Sequence, residues 1–149
     1  MEGLVKTNEV LIVDDNESLL TALKRLLSVY FKERDVHNYN ILTATSADEA
    51  VSILEKNSSI SIIISDIMMP GMDGLDFLRH ITHDLRRGIQ VIMITGQGNM
   101  GRAVDSFRNG AAEYIVKPFD VSTIYEIMDR TIARLENWAK MIKGAVALD

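Results

Sequence analysis

Five side chains suited to metal binding and group transfer follow four separate apolar segments of the sequence. They are three carboxylates, one hydroxyl and one amine: Asp14, Asp15, Asp66, Thr95 and Lys117. Carboxylates gathered at one place repel each other and stay ionised only beside a cation. Ligation by oxygen alone, without His or Cys, suits a hard ion such as Mg²⁺. The residue types therefore predict a magnesium site at which phosphoryl transfer could occur.

Phosphoryl transfer requires a positioned nucleophile and positive charge beside the phosphoryl oxygens. Asp66 is the predicted nucleophile, which would form an acyl phosphate. Mg²⁺ and Lys117 would neutralise the charge, and the Thr95 hydroxyl could bond the remaining oxygen. Each residue alone also has an ordinary explanation as a helix cap, a turn or a strand residue. The prediction therefore depends on their joint position at four strand ends.

The elements that would bring these side chains together are short β-branched segments alternating with segments of helical period. The predicted strands are Val10–Val13, Ile41–Thr45, Ile60–Ser65, Gln90–Thr95 and Glu113–Val116. Their Val and Ile content suits strands that are buried on both sides. This order predicts an α/β fold with a doubly wound, five-stranded parallel sheet of the flavodoxin-like type. In such sheets functional groups collect beyond the carboxyl ends of the strands.

Apolar residues at helical spacing predict a helix after each strand. Ser46 with Glu49 forms a possible capping box at the start of the second helix. The residues that mark the other helices are Leu19, Leu23, Leu26 and Tyr30 for the first, Leu75, Leu78 and Ile81 for the third, and Ala103, Val104 and Phe107 for the fourth. The fifth helix begins near Val121 and continues unusually far. The polar stretch 32–39 is predicted to be a loop.

The bulk properties favour one domain without a nucleic-acid or membrane surface. The chain has 149 residues, 47% of them hydrophobic, which suffices for one core. The net charge is −5 and the basic residues are scattered, so direct nucleic-acid binding is not expected. Cysteine is absent from the sequence, which excludes thiolate sites and disulfides. The first ten residues do not resemble a signal peptide, and we predict a cytoplasmic protein.

Four ordered segments resemble the signature motifs of bacterial response-regulator receiver domains. They are Val10 to Asp15, Ile64 to Gly74, Ile94 to Gly96 and Tyr114 to Phe119. The resemblance covers residues 9–132. It leaves an N-terminal extension over residues 1–8 and a C-terminal helical extension or linker over residues 133–149.

The resemblance implies a phosphorylation-activated switch of a two-component system rather than a turnover enzyme. Asp66 would accept a phosphoryl group from a sensor histidine kinase, and the protein would catalyse only its own phosphorylation and slow autodephosphorylation. The implied metal ligands are Asp14, Asp15, Asp66 and the backbone carbonyl of Met68, with Asp14 acting directly or through water. Lys117 would contact the phosphoryl group, and Thr95 with Tyr114 would form the switch pair. A cis peptide bond before Pro118 is also implied.

Two other functions compete with the switch as explanations of this sequence. An aspartyl phosphatase that resembles the haloacid dehalogenase family would carry a second Asp two residues after the nucleophile, where this chain has Met68. The segment from Gly96 to Gly101 fits the dinucleotide fingerprint G-x-G-x-x-G. That fingerprint belongs to the first strand–helix turn, whereas this one follows the fourth strand. His80 and His83 lack an evident third ligand and are expected to face solvent.

The extended fifth helix carries apolar positions at alternating steps of four and three, the spacing of a coiled-coil seam. They are Ile124, Met128, Thr131, Leu135, Trp138 and Ile142. Because the helix would have no sheet left to cover beyond Arg134, the later positions would be exposed unless a second chain covered them. We predict a homodimer through the fourth helix, fifth strand and fifth helix, with an output domain or partner protein receiving the signal. The alternative is a tail that folds back or frays.

Overall fold

The computed structural model describes residues 7–96 and 100–148. The chain divides into two compact units, one ending at Pro118 and the other beginning at Phe119. Over the described ranges, every helix is too short or too polar to cross a bilayer.

The first unit contains a five-stranded sheet in which all neighbouring strands are parallel. The strands are β1 (Asn8–Val13), β2 (Tyr39–Ala44), β3 (Ile60–Asp66), β4 (Gln90–Thr95) and β5 (Glu113–Val116). Their spatial order is β2-β1-β3-β4-β5. The chain reverses its direction of travel across the sheet between β1 and β3, and such a switch point is where doubly wound sheets place their sites. The predicted fold class is confirmed.

Four helical segments connect these strands. The helices are α1 (Glu17–Glu33), α2 (Ala47–Lys56), α3 (Gly74–Arg79) and α4 (Met100–Arg108), and a π-helical turn, His80–Leu85, continues directly from α3. The second helix begins as predicted, since the Ser46 side chain accepts a bond of 3.1 Å from the Glu49 amide. Glu49 reaches back to Thr45 rather than to Ser46, so the capping box is only half formed.

The sheet is buried on both faces, which explains the uninterrupted Val and Ile content of its strands. One face of β1 places Leu11 and Val13 in a core with Ala50, Leu54 and Phe77. Alternate residues point to opposite sides of a strand, and Val10 and Ile12 on the other side are also buried. Strands buried on both faces hold their carboxyl ends in fixed positions.

Two local predictions were correct only in part. The predicted loop over residues 32–39 is shorter, because α1 continues through Glu33 and β2 begins at Tyr39. Lys32 and Glu33 are good helix formers and extend the helix. The predicted third helix is α-helical only to Arg79 and then widens into the π-helical turn. The apolar spacing of Leu75, Leu78 and Ile81 does not distinguish the two forms.

The second unit contains the long helix α5, Val121–Leu148. Ile124, Ile127, Met128 and Thr131 are buried in its first half. The Thr131 hydroxyl donates to the carbonyl of Ile127 at 2.7 Å, so this polar group is satisfied. Every residue from Glu136 to Gly144 is exposed. The predicted extended helix is confirmed, and its continuously exposed part begins at Glu136.

Candidate functional site

The ends of the central strands bring the predicted site residues together. Asp66 is the last residue of β3, and Asp14 directly follows the neighbouring strand β1. Backbone bonds fix these ends across the sheet. The Ile67 amide donates to the Ile94 carbonyl at 2.9 Å, and the Lys117 amide donates to the Thr95 carbonyl at 2.7 Å. The Asp66 carboxylate and Lys117 therefore lie on adjoining parts of one rigid frame.

The Lys117 ammonium lies between two buried carboxylates. Its Nζ atom is 2.9 Å from Oδ2 of Asp66 and 3.4 Å from Oδ2 of Asp14. The other Asp66 oxygen, Oδ1, accepts a bond of 2.9 Å from the Met68 amide. Each carboxylate oxygen has two lone pairs, so these bonds orient Asp66 and still leave acceptor capacity on both oxygens.

The carboxylates of Asp14, Asp15 and Asp66 can present one oxygen each within 4.8 Å of one another. Asp14 and Asp66 are buried, whereas Asp15 is exposed. With Lys117, the four ionised groups would carry a formal net charge of −2, which a single divalent cation would neutralise. The donor set consists only of oxygen, as a hard cation requires. These residues fit a Mg²⁺ ion.

Burial and the Asp66 carboxylate raise the pKa of Asp14 to about 6, against a lowering by the Asn16 amide and by Lys117. Burial alone would lower the pKa of Lys117, but its hydrogen bond and charge interaction with Asp66, together with the charge of Asp14, raise it above the usual value. The Asp14 shift thus comes from burial together with neighbouring negative charge, whereas the Lys117 shift comes from neighbouring negative charge that outweighs burial.

Replacing Asp14 with Asn is expected to stabilise the metal-free protein near pH 8 by about 1–2 kcal/mol. The folded-state pKa of Asp14, about 6, exceeds the unfolded value of 3.8. The stability contributed by the protonated carboxyl is therefore complete below the unfolded pKa and is lost as pH rises through about 6. Urea unfolding at pH values near 4 and 8, with Asp105→Asn on the exposed surface of α4 as control, measures the difference. A variant less stable than wild type near pH 8 would contradict it.

The residues predicted as a switch pair lie on neighbouring strands. Thr95 is buried at the end of β4, and Tyr114 is half-buried on β5. The Tyr114 ring stands 6.2 Å from the ring of Phe107 on α4, centroid to centroid. The peptide bond before Pro118 is cis, as the resemblance implied. A buried hydroxyl at the end of β4 and an aromatic ring beside Phe107 of α4 are thus present on neighbouring strands.

A profile of the response regulator receiver domain matches residues 10–129 of this sequence. This chain belongs to the response-regulator receiver family. Chemotaxis protein CheY-3 of Vibrio cholerae is 32% identical over 137 residues, which cover 91% of this chain and 100% of that protein. Transcriptional regulatory protein ResD of Bacillus subtilis is 39% identical over 117 residues, which cover 76% of this chain and 44% of that protein. Receivers are signalling switches rather than turnover enzymes.

Solved receivers share the fold over most of this chain. A response regulator receiver domain protein from Clostridium thermocellum superposes with a TM-score of 0.77 at 30% identity, over 88% of this chain and 98% of that one. A CheY-like receiver domain protein from Methanospirillum hungatei gives a TM-score of 0.76 at 28% identity, over 89% and 98%. The fold of this chain is thus that of a receiver.

Several sequence predictions have other outcomes at this receiver site. Met68 is exposed, and the direction of its carbonyl toward a metal stays a prediction. Residues 97–99 of the glycine-rich segment lie outside the described residues. His83 is exposed as expected, whereas His80 is only partly so and contacts Asp84 at 3.1 Å.

Sequence reasoning missed two contacts that hold the loop after Asp66. Gly74 lies against the end of β3 so closely that an added Cβ would be 2.5 Å from the Cα of Ile67, the residue that follows Asp66. Asp73, beside it, pairs with Arg102 of α4. Asp73 and Gly74 lie within the motif Ile64 to Gly74, so the sequence did mark this pair. The ion pair with Arg102 spans 29 positions and left no local signal in the sequence.

Proposed function

We propose that this receiver accepts a phosphoryl group on Asp66 in a Mg²⁺-dependent reaction and passes the event on as a conformational change. The observation that carries the proposal is the Lys117 ammonium, 2.9 Å from one Asp66 oxygen, within a cluster of three carboxylates. An ion pair between Lys117 and Asp66 alone could equally well have a purely structural role. Asp14 and Asp15 add two further carboxylates beside that pair, and burial together with the Asp66 carboxylate raises the pKa of Asp14. Such an excess of carboxylates serves no stabilising purpose without a cation.

The chain's own residues would act on the donor as follows. The donor would be a phosphohistidine. An Asp66 oxygen forms a bond to phosphorus while the bond from phosphorus to the histidine nitrogen breaks, and that nitrogen keeps the electron pair. Lys117, already beside Asp66, donates to an oxygen of the transferred group. The Met68 amide holds Asp66 oriented through Oδ1. The product is an acyl phosphate. Its slow hydrolysis by water would be the autodephosphorylation of this protein.

The cation would be held by Asp14, Asp15, Asp66 and the Met68 carbonyl, with Asp14 acting directly or through water. When bound, Mg²⁺ supplies positive charge to the phosphoryl oxygens. Asp14 would bind it best when ionised, so binding should weaken as pH falls through about 6.

The switch would begin at Thr95, whose hydroxyl would bond a phosphoryl oxygen. Tyr114 on the adjoining strand would reorient with it, and its ring neighbour Phe107 would carry the change to α4. Phe107 and Val104 of α4 are 53% and 47% exposed, so this helix presents an apolar surface on which such a change can be detected by another protein.

Incubation with a small phosphodonor such as acetyl phosphate tests the function. With Mg²⁺ we expect intact mass to show one added phosphoryl group, and with excess chelator we expect the yield to fall by at least about tenfold. A yield unaffected by the chelator would remove the metal from the proposal. The absence of any added mass, with donor confirmed active on another receiver, would remove the function.

The phosphoryl donor in the cell would be a phosphohistidine on a sensor histidine kinase. The protein would meet this phosphohistidine in the cytoplasm. The chain spans all of CheY-3 but less than half of ResD. A partner protein would receive the signal if the chain works alone, as its full match to CheY-3 suggests. An output domain would receive it if the chain works within a longer regulator such as ResD. The proposed role needs neither direct nucleic-acid binding nor membrane insertion by this chain.

We further propose a homodimer through α4, β5 and α5. In the first unit, Val104, Phe107 and Val116 are large exposed apolar residues. In the second unit, Trp138, Met141 and Ile142 are 44%, 69% and 65% exposed on the continuing helix. Because Ile124, Met128 and Thr131 of the predicted seam are already buried, only the positions from Leu135 onward are available for winding around a second chain.

A further inference from the structure

Helix α4 is fastened to the neighbouring helical segment by a close contact at its carboxyl end. The Thr82 hydroxyl of the π-helical turn lies 2.8 Å from the Asn109 carbonyl, and Nε of Arg79 donates to Oδ1 of Asn109 at 3.1 Å. Gly110 adopts a φ of +98°, and a Cβ there would lie 2.9 Å from Cγ2 of Thr82. Polar bonds and tight packing thus fix this end of the helix.

The amino end of α4 is held differently. Nη1 of Arg102, in the first turn, donates to both carboxylate oxygens of Asp73 at 3.2 and 3.1 Å. The two side chains are 34% and 40% exposed. Ion pairs of this exposure are individually weak and change an equilibrium by about 1.4- to 5-fold. Within the described residues, the carboxyl end of α4 is therefore anchored by several bonds, whereas the ion pair of Arg102 at the other end can be released.

Asp73 also belongs to the structure around the phosphoryl acceptor. Its Oδ1 caps α3 by accepting from the Leu75 amide at 2.8 Å. The Gly74 amide donates to the Ile67 carbonyl at 3.1 Å, and a Cβ on Gly74 would lie 2.6 Å from the Asp66 carbonyl oxygen. The start of α3 thus rests directly on the backbone of the acceptor, so that a shift of one requires a shift of the other.

We propose that Arg102 is a positioning residue that couples α4 to the acceptor through Asp73. A movement of α4 about its anchored carboxyl end displaces the amino end most and separates Arg102 from Asp73. The ion pair thereby favours the position that α4 has in this structure and opposes its position in the activated state. This inference rests on the proposed function, since it concerns the balance between the two states of the same switch.

Amide hydrogen exchange on the intact chain, without metal or phosphoryl mimic, provides the first test. The variants are Arg102→Gln, Asp73→Asn, their combination and Arg102→Lys. Asn is a good helix cap, so Asp73→Asn removes the ion pair and keeps the start of α3. Arg108→Gln removes an exposed charge from the last turn of the same helix and is the control.

We expect faster exchange over both residues 67–77 and residues 100–104 in Arg102→Gln and in Asp73→Asn. The double variant should exchange no faster than either single variant, because one contact is lost in all three. Arg102→Lys keeps the charge without the planar fork and should lie nearer wild type. Faster exchange confined to residues 100–104 would overturn the inference. So would increases in exchange rate that add in the double variant, or an equal increase in Arg108→Gln.

The second test is the affinity for beryllium fluoride with Mg²⁺, a mimic of the phosphoryl group. Arg102→Gln and Asp73→Asn should each bind it about two- to five-fold more tightly than wild type. Unchanged or weaker binding overturns the coupling. If wild type itself fails to bind the mimic, the proposed function fails, and the exchange pattern alone then decides whether α4 and the acceptor loop are coupled.

Discussion

Replacing Asp66 with Asn is expected to abolish phosphorylation of this receiver, with a loss of at least about 1,000-fold in yield from a small phosphodonor. The amide of Asn is not a nucleophile and cannot form an acyl phosphate. It does keep an oxygen that can accept from the Met68 amide, as Oδ1 of Asp66 does now. Intact mass after incubation with acetyl phosphate and Mg²⁺ measures the result.

Asp105→Asn, an exposed change of the same chemistry on α4, is the matched control and should be phosphorylated as wild type is. Circular dichroism of Asp66→Asn should show a folded protein, because Lys117 keeps its contact with Asp14. A stable phosphoryl group on Asp66→Asn at wild-type yield would show that another residue is the acceptor.

Ending the chain after Arg134 is expected to convert a dimer into a monomer. The truncation removes Leu135, Trp138 and Ile142, the positions of the seam that remain available. Full burial of a large apolar side chain contributes about 1.5–3 kcal/mol. Loss of three such residues per chain should weaken association by at least about 100-fold. Sedimentation equilibrium of both forms, with and without beryllium fluoride, measures the change.

Point variants separate the seam from mere helix length. Ile142→Glu places a charge in the stripe and should act like the truncation, whereas Asn137→Glu changes an exposed residue outside the predicted seam and should not. If the full chain is monomeric at high concentration in both states, the dimer is wrong. The receiver would then pass its signal by docking on a partner as a monomer.

The parts of the fold that depend on continuous burial could be predicted from sequence. Ile62, Ile63 and Ile64 are all buried because β3 is covered on both faces, and such a run marks a central parallel strand without any tertiary information. Once the strands were placed, the parallel order brought Asp14, Asp66 and Lys117 to one edge. The site was therefore predictable as a consequence of topology.

Other features depend on which of two similar faces a helix turns inward. The sequence grouped Ala103 with Val104 and Phe107, but Ala103 and Ser106 are buried, and the two large residues are exposed. Periodicity finds the helix and fixes its face only to within about one residue. The pairing of Arg102 with Asp73 depends on that same rotation, so it was not visible before the structure.

Reduction with borohydride followed by peptide mass mapping tests the central claim most directly, because it converts the acyl phosphate of an aspartate into homoserine at the residue that carried it. After treatment with phosphodonor and Mg²⁺, we expect homoserine at position 66 and at none of the neighbouring carboxylates, Asp14 and Asp15. Homoserine at either of those positions, or phosphorylated protein without homoserine at position 66, would contradict the assignment of Asp66 as the acceptor.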